Sequence, residues 1–295
     1  MNKKSSLRGY LYVFQAFAMW GVLAIYWKTL KHIPSWELLS HRVIWSFIIL
    51  SVITFFFQKD NILTIWKNKK DRYTLLVSSV LIGINWGVFI YAVNANRIVE
   101  ASLGYYITPL VNIFLGIVFL KEKLSPIKTV ALILAVTAVL FLAIQAGKPP
   151  LISLLLAFSF GIYGLIKKTT TVDTLPSLAF ETTALLPIAL GYQIFLFSNG
   201  SNHMLNTDIQ SLLMLLGTGI ITILPLYWFM KGAKKISLIS VGFFQYTAPT
   251  IMLLIGIFIY DEPFNLNEAL AFGIIWLAII LYVVSLINDK PKPEK

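Results

Sequence analysis

The chain has 295 residues, a formal net charge of +11, 58% hydrophobic residues and only 13% charged ones, with a mean hydropathy of +0.79. So few charges cannot cover the surface of a soluble domain this size, which excludes a soluble enzyme, a disordered tail protein and a nucleic-acid binder. The cysteine count of zero excludes disulfides, thiolate metal sites and a cysteine nucleophile.

A bilayer core takes roughly 20 apolar residues per helix. The chain supplies ten such segments, near 10–27, 36–57, 73–94, 101–120, 125–144, 150–166, 174–198, 209–230, 236–260 and 269–287. Span 1 follows Lys3, Lys4 and Arg8, and Ala16-Phe17-Ala18 faintly resembles a cleavage site. The apolar run continues to Trp27, longer than a signal segment, so it reads as an uncleaved helix. These continuous runs do not alternate as barrel strands do. The expected class is therefore an all-α membrane protein, a single membrane domain over 1–295.

Lysine and arginine set the orientation. With alternate loops assigned to two sides, the side of the N-terminus (side A) holds nineteen of them, including Lys59, Lys67, Arg72, Lys121, Lys167, Lys235, Lys290, Lys292 and Lys295. The opposite side (side B) holds four: Lys28, Lys31, Arg97 and Lys148. Arg42 lies within span 2. This bias predicts a multi-pass protein of a bacterial inner membrane with both termini cytoplasmic.

The chain also matches itself. Ala95, Arg97, Ile98, Ser102 and Gly104 recur 138 residues later as Ala233, Lys235, Ile236, Ser240 and Gly242. Pro109, Gly116 and Glu122 recur 140 residues later as Pro249, Gly256 and Glu262. Ala16-Phe17 weakly matches Ala157-Phe158, and the register of spans 2 and 7 stays open. Two repeats, about 7–144 and 150–288, each hold five spans. Five is odd, so the second repeat enters the membrane inverted, an arrangement characteristic of secondary transporters.

Pro109 and Pro249 sit near the centres of spans 4 and 9 and free the carbonyls of Tyr105 and Gln245. At membrane depth such carbonyls line a cavity or mark a plain kink. Trp20, Asn85, Trp86, Tyr105, Tyr106, Asn112, Tyr163, Gln245 and Tyr246 lie at similar depth and suit an amphipathic ligand, though any lone aromatic there also suits packing. Gly83 and Gly87 form a small-residue pair for helix approach. Ionisable groups inside spans are Glu37, His41 and Arg42 in span 2 and Glu181 in span 7. Glu37, His41 and Glu181 are candidates for a proton relay, or Glu37 forms a static pair with His41 or Arg42. Glu122 and Glu262 end spans 4 and 9 on opposite sides, where they suit gates better than ligand binding.

The runs His41-Arg42-Val43-Ile44-Trp45-Ser46, Asn85-Trp86, Glu100-Ala101-Ser102-Leu103-Gly104-Tyr105, Pro109-Leu110-Val111-Asn112-Ile113 and Gly242-Phe243-Phe244-Gln245-Tyr246, then Pro249-Thr250, resemble those of the RarD-type proteins. These are bacterial inner-membrane members of the EamA branch of the drug/metabolite transporter superfamily. The resemblance implies ten helices around a central cavity lined by spans 1, 3, 4, 6, 8 and 9, with spans 5 and 10 peripheral. It makes Asn85, Trp86, Tyr105, Asn112, Gln245 and Tyr246 pocket candidates and leaves span 2 outside. It also implies a small organic solute, with amino acids, other metabolites and chloramphenicol all open.

The expected function is secondary transport by alternating access. A sensor or scaffold without flux and an intramembrane enzyme are the alternatives. The enzyme has thin support, with no HExxH and only three histidines. No cofactor or metal is expected. The expected partners are a solute and membrane lipid, with no nucleic acid; a homodimer is left open.

Overall fold

The computed structural model describes residues 3–58, 64–95, 97–145, 147, 150–204, 207–262 and 264–288, with residues 3–5 as backbone only. Of the charges that set the orientation, Lys59, Lys148, Lys290, Lys292 and Lys295 fall outside these residues, as do the side chains of Lys3 and Lys4. The helices are α1 (Lys3–Thr29), α2 (Ser35–Phe57), α3 (Lys69–Asn94), α4 (Ile98–Leu120), α5 (Pro126–Gln145), α6 (Leu151–Thr169), α7 (Thr174–Ser198), α8 (Ile209–Ala233), α9 (Leu238–Gln245), α10 (Thr247–Tyr260) and α11 (Leu266–Asn288). Taking α9 and α10 together as the ninth span, ten spans among the described residues are long and apolar enough to cross a bilayer. Large side chains such as Phe57, Ile144, Phe258 and Ile287 stand exposed around them, as a lipid-facing belt requires.

Polar caps start several helices. Asn68 accepts from the backbone N–H of Lys70 and Asp71 at α3, Asp208 from Ser211 at α8, and Ser237 from Ser240 at α9. Each satisfies an otherwise orphan donor. The Ser211 hydrogen bonds also hold the Asp208 carboxyl below its usual range.

The two matched prolines act differently. α4 runs unbroken through Pro109. The ninth span, expected as one helix, is interrupted at Tyr246, which places Pro249 in the first turn of α10. Its missing N–H costs little there. The preceding residue differs as well: Thr108 donates to the Gly104 carbonyl at 2.6 Å, which Ala248 in the matched position cannot do.

Packing is mainly between the halves. α1 lies against α8 and the ninth span, α2 against α7 and α8, α3 against α6 and α7, α4 against α6 and α9, and α5 against α11. Exchanging each helix for its counterpart in the other half maps this set of pairs onto itself. The bundle therefore has the two-fold relation that an inverted repeat demands. The α5–α11 pair forms a layer of its own, built on Ala131, Ala135, Ala138, Ile275, Ala278 and Tyr282, at the edge of the bundle. Gly83 meets Leu185 of α7 and Gly87 meets the Trp36 ring of α2.

Candidate functional site

A cavity of about 180 Å³ lies between the halves, floored by Trp20, Trp86, Phe160 and Gln245. It shares Ala24, Tyr105, Pro249 and Met252 with a neighbouring cleft of about 550 Å³ lined mainly by α4 and α10. The cleft holds Lys28, Ile98 and Glu262, all on side B by the alternation of the spans.

Trp20, Asn85, Trp86, Tyr105, Gln245 and Pro249 line the cavity. Asn85 is already committed to α6, donating to the Leu156 carbonyl at 2.9 Å and to Ser159 Oγ at 3.1 Å. Asn112 is fully buried behind Gln245 and donates to its Oε1 at 2.6 Å, while its own Oδ1 has no partner. Gln245 thus both faces the cavity and ties the halves together. Tyr246 points elsewhere: it is fully buried, packs with Phe243 in the α5–α11 layer and donates to the Tyr106 carbonyl at 3.2 Å. Gln245 and Tyr246 are adjacent and point to different sides, as Tyr105 in the cavity lining and Tyr106 outside it do in the unbroken α4. Pro109 is buried at the α4–α9 crossing, its carbonyl 2.6 Å from where a Cβ on Gly242 would stand.

Spans 1, 3, 4, 6, 8 and 9 all contribute to the cavity, and so does α2, contrary to what the resemblance implies. Its contribution is Arg42, for which the sequence suggests, as one alternative, a static pair with Glu37. The guanidinium lies 5.0 Å from the Trp27 ring and 4.9 Å from the Trp86 ring, and Nε donates to Thr222 Oγ1 at 3.1 Å.

Glu37 is engaged by neither Arg42 nor, closely, His41. It accepts from the backbone N–H of His203 at 2.8 Å and contacts His203 Nδ1 at 2.7 Å, with His41 Nε2 4.0 Å away. This ties the segment after α7 to α2 at side B. The signal that could have found it is the third histidine, His203, in a side B loop opposite a buried acid. Glu181 pairs with Lys167 and Ser78, and Tyr163 donates to it at 3.3 Å. Lys167 also donates to Ser177 at 2.6 Å. A water-sized void joins Glu181 to Trp86 and Thr222. Glu37, His41 and Glu181 all stand outside the central cavity.

At side A the halves are tied together. Glu122 accepts from the backbone N–H of Leu238 at 2.7 Å and of Ile239 at 2.9 Å, so its charge meets the N-terminus of α9. Lys168 stands 4.0 Å from Glu122 and donates to the carbonyls of Ala233 and Ile236. Lys234 donates to the Val172 carbonyl at 2.6 Å, and burial pushes its amine below the ordinary lysine range.

The turn that carries Glu122 is repeated at side B. Lys121 and Asp261 are the two non-glycine residues with positive φ among those described, at 54° and 51°. Glu122 N–H returns to the Gly116 carbonyl, and Glu262 N–H to the Gly256 carbonyl, both at 3.0 Å. Each carboxylate folds over its glycine, within 2.8 Å and 2.7 Å of where a Cβ would stand. Around Gly116, Leu238 and Ile239 crowd the same spot, whereas around Gly256 only Glu262 does.

The EamA-like transporter family matches this chain twice, over residues 7–144 and 148–284. The chain is 43% identical to the uncharacterized transporter YojE of Bacillus subtilis, over 98% of each chain. It is 37% identical to protein RarD of Escherichia coli, over 100% of both. One solved crystal structure superposes with a TM-score of 0.72, over 98% of this chain and 100% of that one; at 15% identity the likeness is one of fold. The double match and the full-length relatives show that the chain is a membrane transporter of the EamA-like transporter family, in its RarD-type group.

Proposed function

We propose that the protein moves a small organic solute across a bacterial inner membrane by alternating access. Side A faces the cytoplasm in this reading, and the conformation described is open outward. The observation that carries it is the pair of matched turns. Glu122 holds the N-terminus of α9 and closes side A. Glu262, on an equivalent turn, faces an open cleft that holds Ile98 and Val99 at the start of α4. When side B closes, Glu262 takes those two N–H groups, as Glu122 takes Leu238 and Ile239. The two closed states then use the same chemistry, which keeps their energies comparable.

The driving force in this reading is the gradient of the solute together with the membrane potential. No carboxylate or histidine lines the central cavity among the described residues, and Glu181 and Glu37 are held by Lys167 and His203. A cytoplasmic signal from a reporter after Ile287 and an external one near Ser201 test the orientation. Solute flux in proteoliposomes, lost when Gly256→Leu blocks closure of side B, tests the mechanism. Unchanged flux in that variant contradicts it.

A further inference from the structure

Arg42 is a charge without a counter-charge. Among the described residues no carboxylate lies within ion-pair distance of its guanidinium, and Nη1 and Nη2 have no hydrogen-bond partner. Four acids of the spans and their ends are engaged elsewhere: Glu37 by His203, Glu100 by Arg97, Glu122 by the start of α9 and by Lys168, and Glu181 by Lys167; Glu262 lies in the side B cleft, outside the cavity lining. A guanidinium stays protonated in proteins, and its terminal nitrogens form a fork that fits a carboxylate. Holding such a cation in an apolar site is costly unless something completes it. The rings of Trp27 and Trp86 compensate part of the charge, and Arg42 between them lines the cavity.

We propose that the central cavity binds a monoanionic organic acid, its carboxylate on the fork of Arg42 and its apolar body against Trp20 and Phe160. The proposal rests on the transporter reading and names its substrate class. Two observations narrow the class. There is one cation in the cavity lining, so a dianion such as a phosphate monoester is under-compensated. There is no acid in that lining, so an ammonium group has no partner, which disfavours zwitterions and cationic drugs. The volume of about 180 Å³ is below the span usual for drug-sized ligands and suits one ring or a short chain. An inside-negative potential of 100 mV favours exit of a monoanion roughly fifty-fold, so a site of this charge needs no second ion for export.

The test is calorimetric binding at pH 7 to the purified full-length protein. The probes are benzoate, phenylacetate and 3-phenylpropionate, each beside its primary amide and the amine of equal length. At least one carboxylate is expected to bind at least tenfold more tightly than its amide and its amine. Arg42→Gln is expected to erase that preference without lowering the unliganded melting temperature, because it removes an uncompensated charge; Arg42→Lys keeps part of the preference. Binding by no carboxylate, equal affinity for an acid and its amide, or an undiminished preference in Arg42→Gln overturns the proposal. A carboxylate preference that survives in a protein showing no flux would instead retain the site and reject transport.

Discussion

The two ends of the pathway between the halves are built from the same parts and stand in different states. At side A, Gly116 lies under Glu122, Leu238 and Ile239, and Glu122 ties the seam. At side B, Gly256 lies under Glu262 alone, and the α4–α10 cleft is open. The backbone of the two turns is nearly identical, down to a left-handed residue before each glutamate. The difference is therefore in the placement of one half against the other, which is what a rocking inverted repeat predicts. The buried acids also take different partners, histidine for Glu37 at side B and lysine for Glu181 at side A. Lys167 and Glu181 are buried beside the seam, whereas 141 residues before Lys167 the chain has Tyr26, a neutral donor to the Met214 carbonyl.

That asymmetry gives the largest expected effect. Glu181→Gln leaves Lys167 buried without its charge partner and should cost about 3–5 kcal/mol of stability, read from the unfolding of the purified protein. The double variant Lys167→Met with Glu181→Leu should recover most of it. If the double variant is stable but loses flux, the pair is a coupling site and the potential-driven reading fails.

The matched glycines sharpen the comparison at a smaller scale. Gly116→Ala puts a methyl 3.2 Å from Leu238 Cβ and 3.3 Å from Ile239 N, and overpacking of this kind costs about 1–3 kcal/mol. It should loosen side A. Gly256→Ala meets only the flexible Glu262 carboxylate and should leave this conformation intact while hindering closure of side B. Thiol labelling in the native cysteine-free background, at Ser102→Cys for side B and Ser240→Cys for side A, should shift in opposite directions. Equal shifts break the symmetry argument.

The smallest effect concerns the caps. The Asp208 carboxyl is held below its usual value, so its contribution at side B is present above about pH 3.9 and lost as pH falls through the native value. Asp208→Ala should lower the melting temperature at pH 7 and converge with the parent in acid. Ser237→Ala, removing the cap of α9 at side A, should lower it independently of pH.

Much of this was legible in the sequence because bilayers impose strong rules. Continuous apolar runs gave ten spans, and the recurrence of Pro109, Gly116 and Glu122 placed matched turns on opposite sides. Residue-level pairing was harder to read. Trp20, Asn85 and Gln245 face the cavity, but Tyr246 turns away, since adjacent residues on a helix do not share a face and depth alone does not say which of a pair points inward. Arg42 was hidden for a different reason. Its nearness to Glu37 along the chain suggests a pair, while Glu37 reaches His203, 166 residues away, and nothing in a linear pattern encodes that choice.

The central claim is that closure of one side is coupled to opening of the other through Glu122 and Glu262. Spin labels at Val99 and Ile257 span side B, and labels at Ile239 and Ile117 span side A, Ile239 being the second residue of α9 as Val99 is of α4, and Ile117 following Gly116 as Ile257 follows Gly256. Electron–electron distance measurements on both pairs, in the parent and in Glu122→Gln, read the coupling. The account predicts that Glu122→Gln lengthens the side A distance and shortens the side B distance, and that Glu262→Gln does not close side B. Both distances lengthening together, or neither responding, would contradict it.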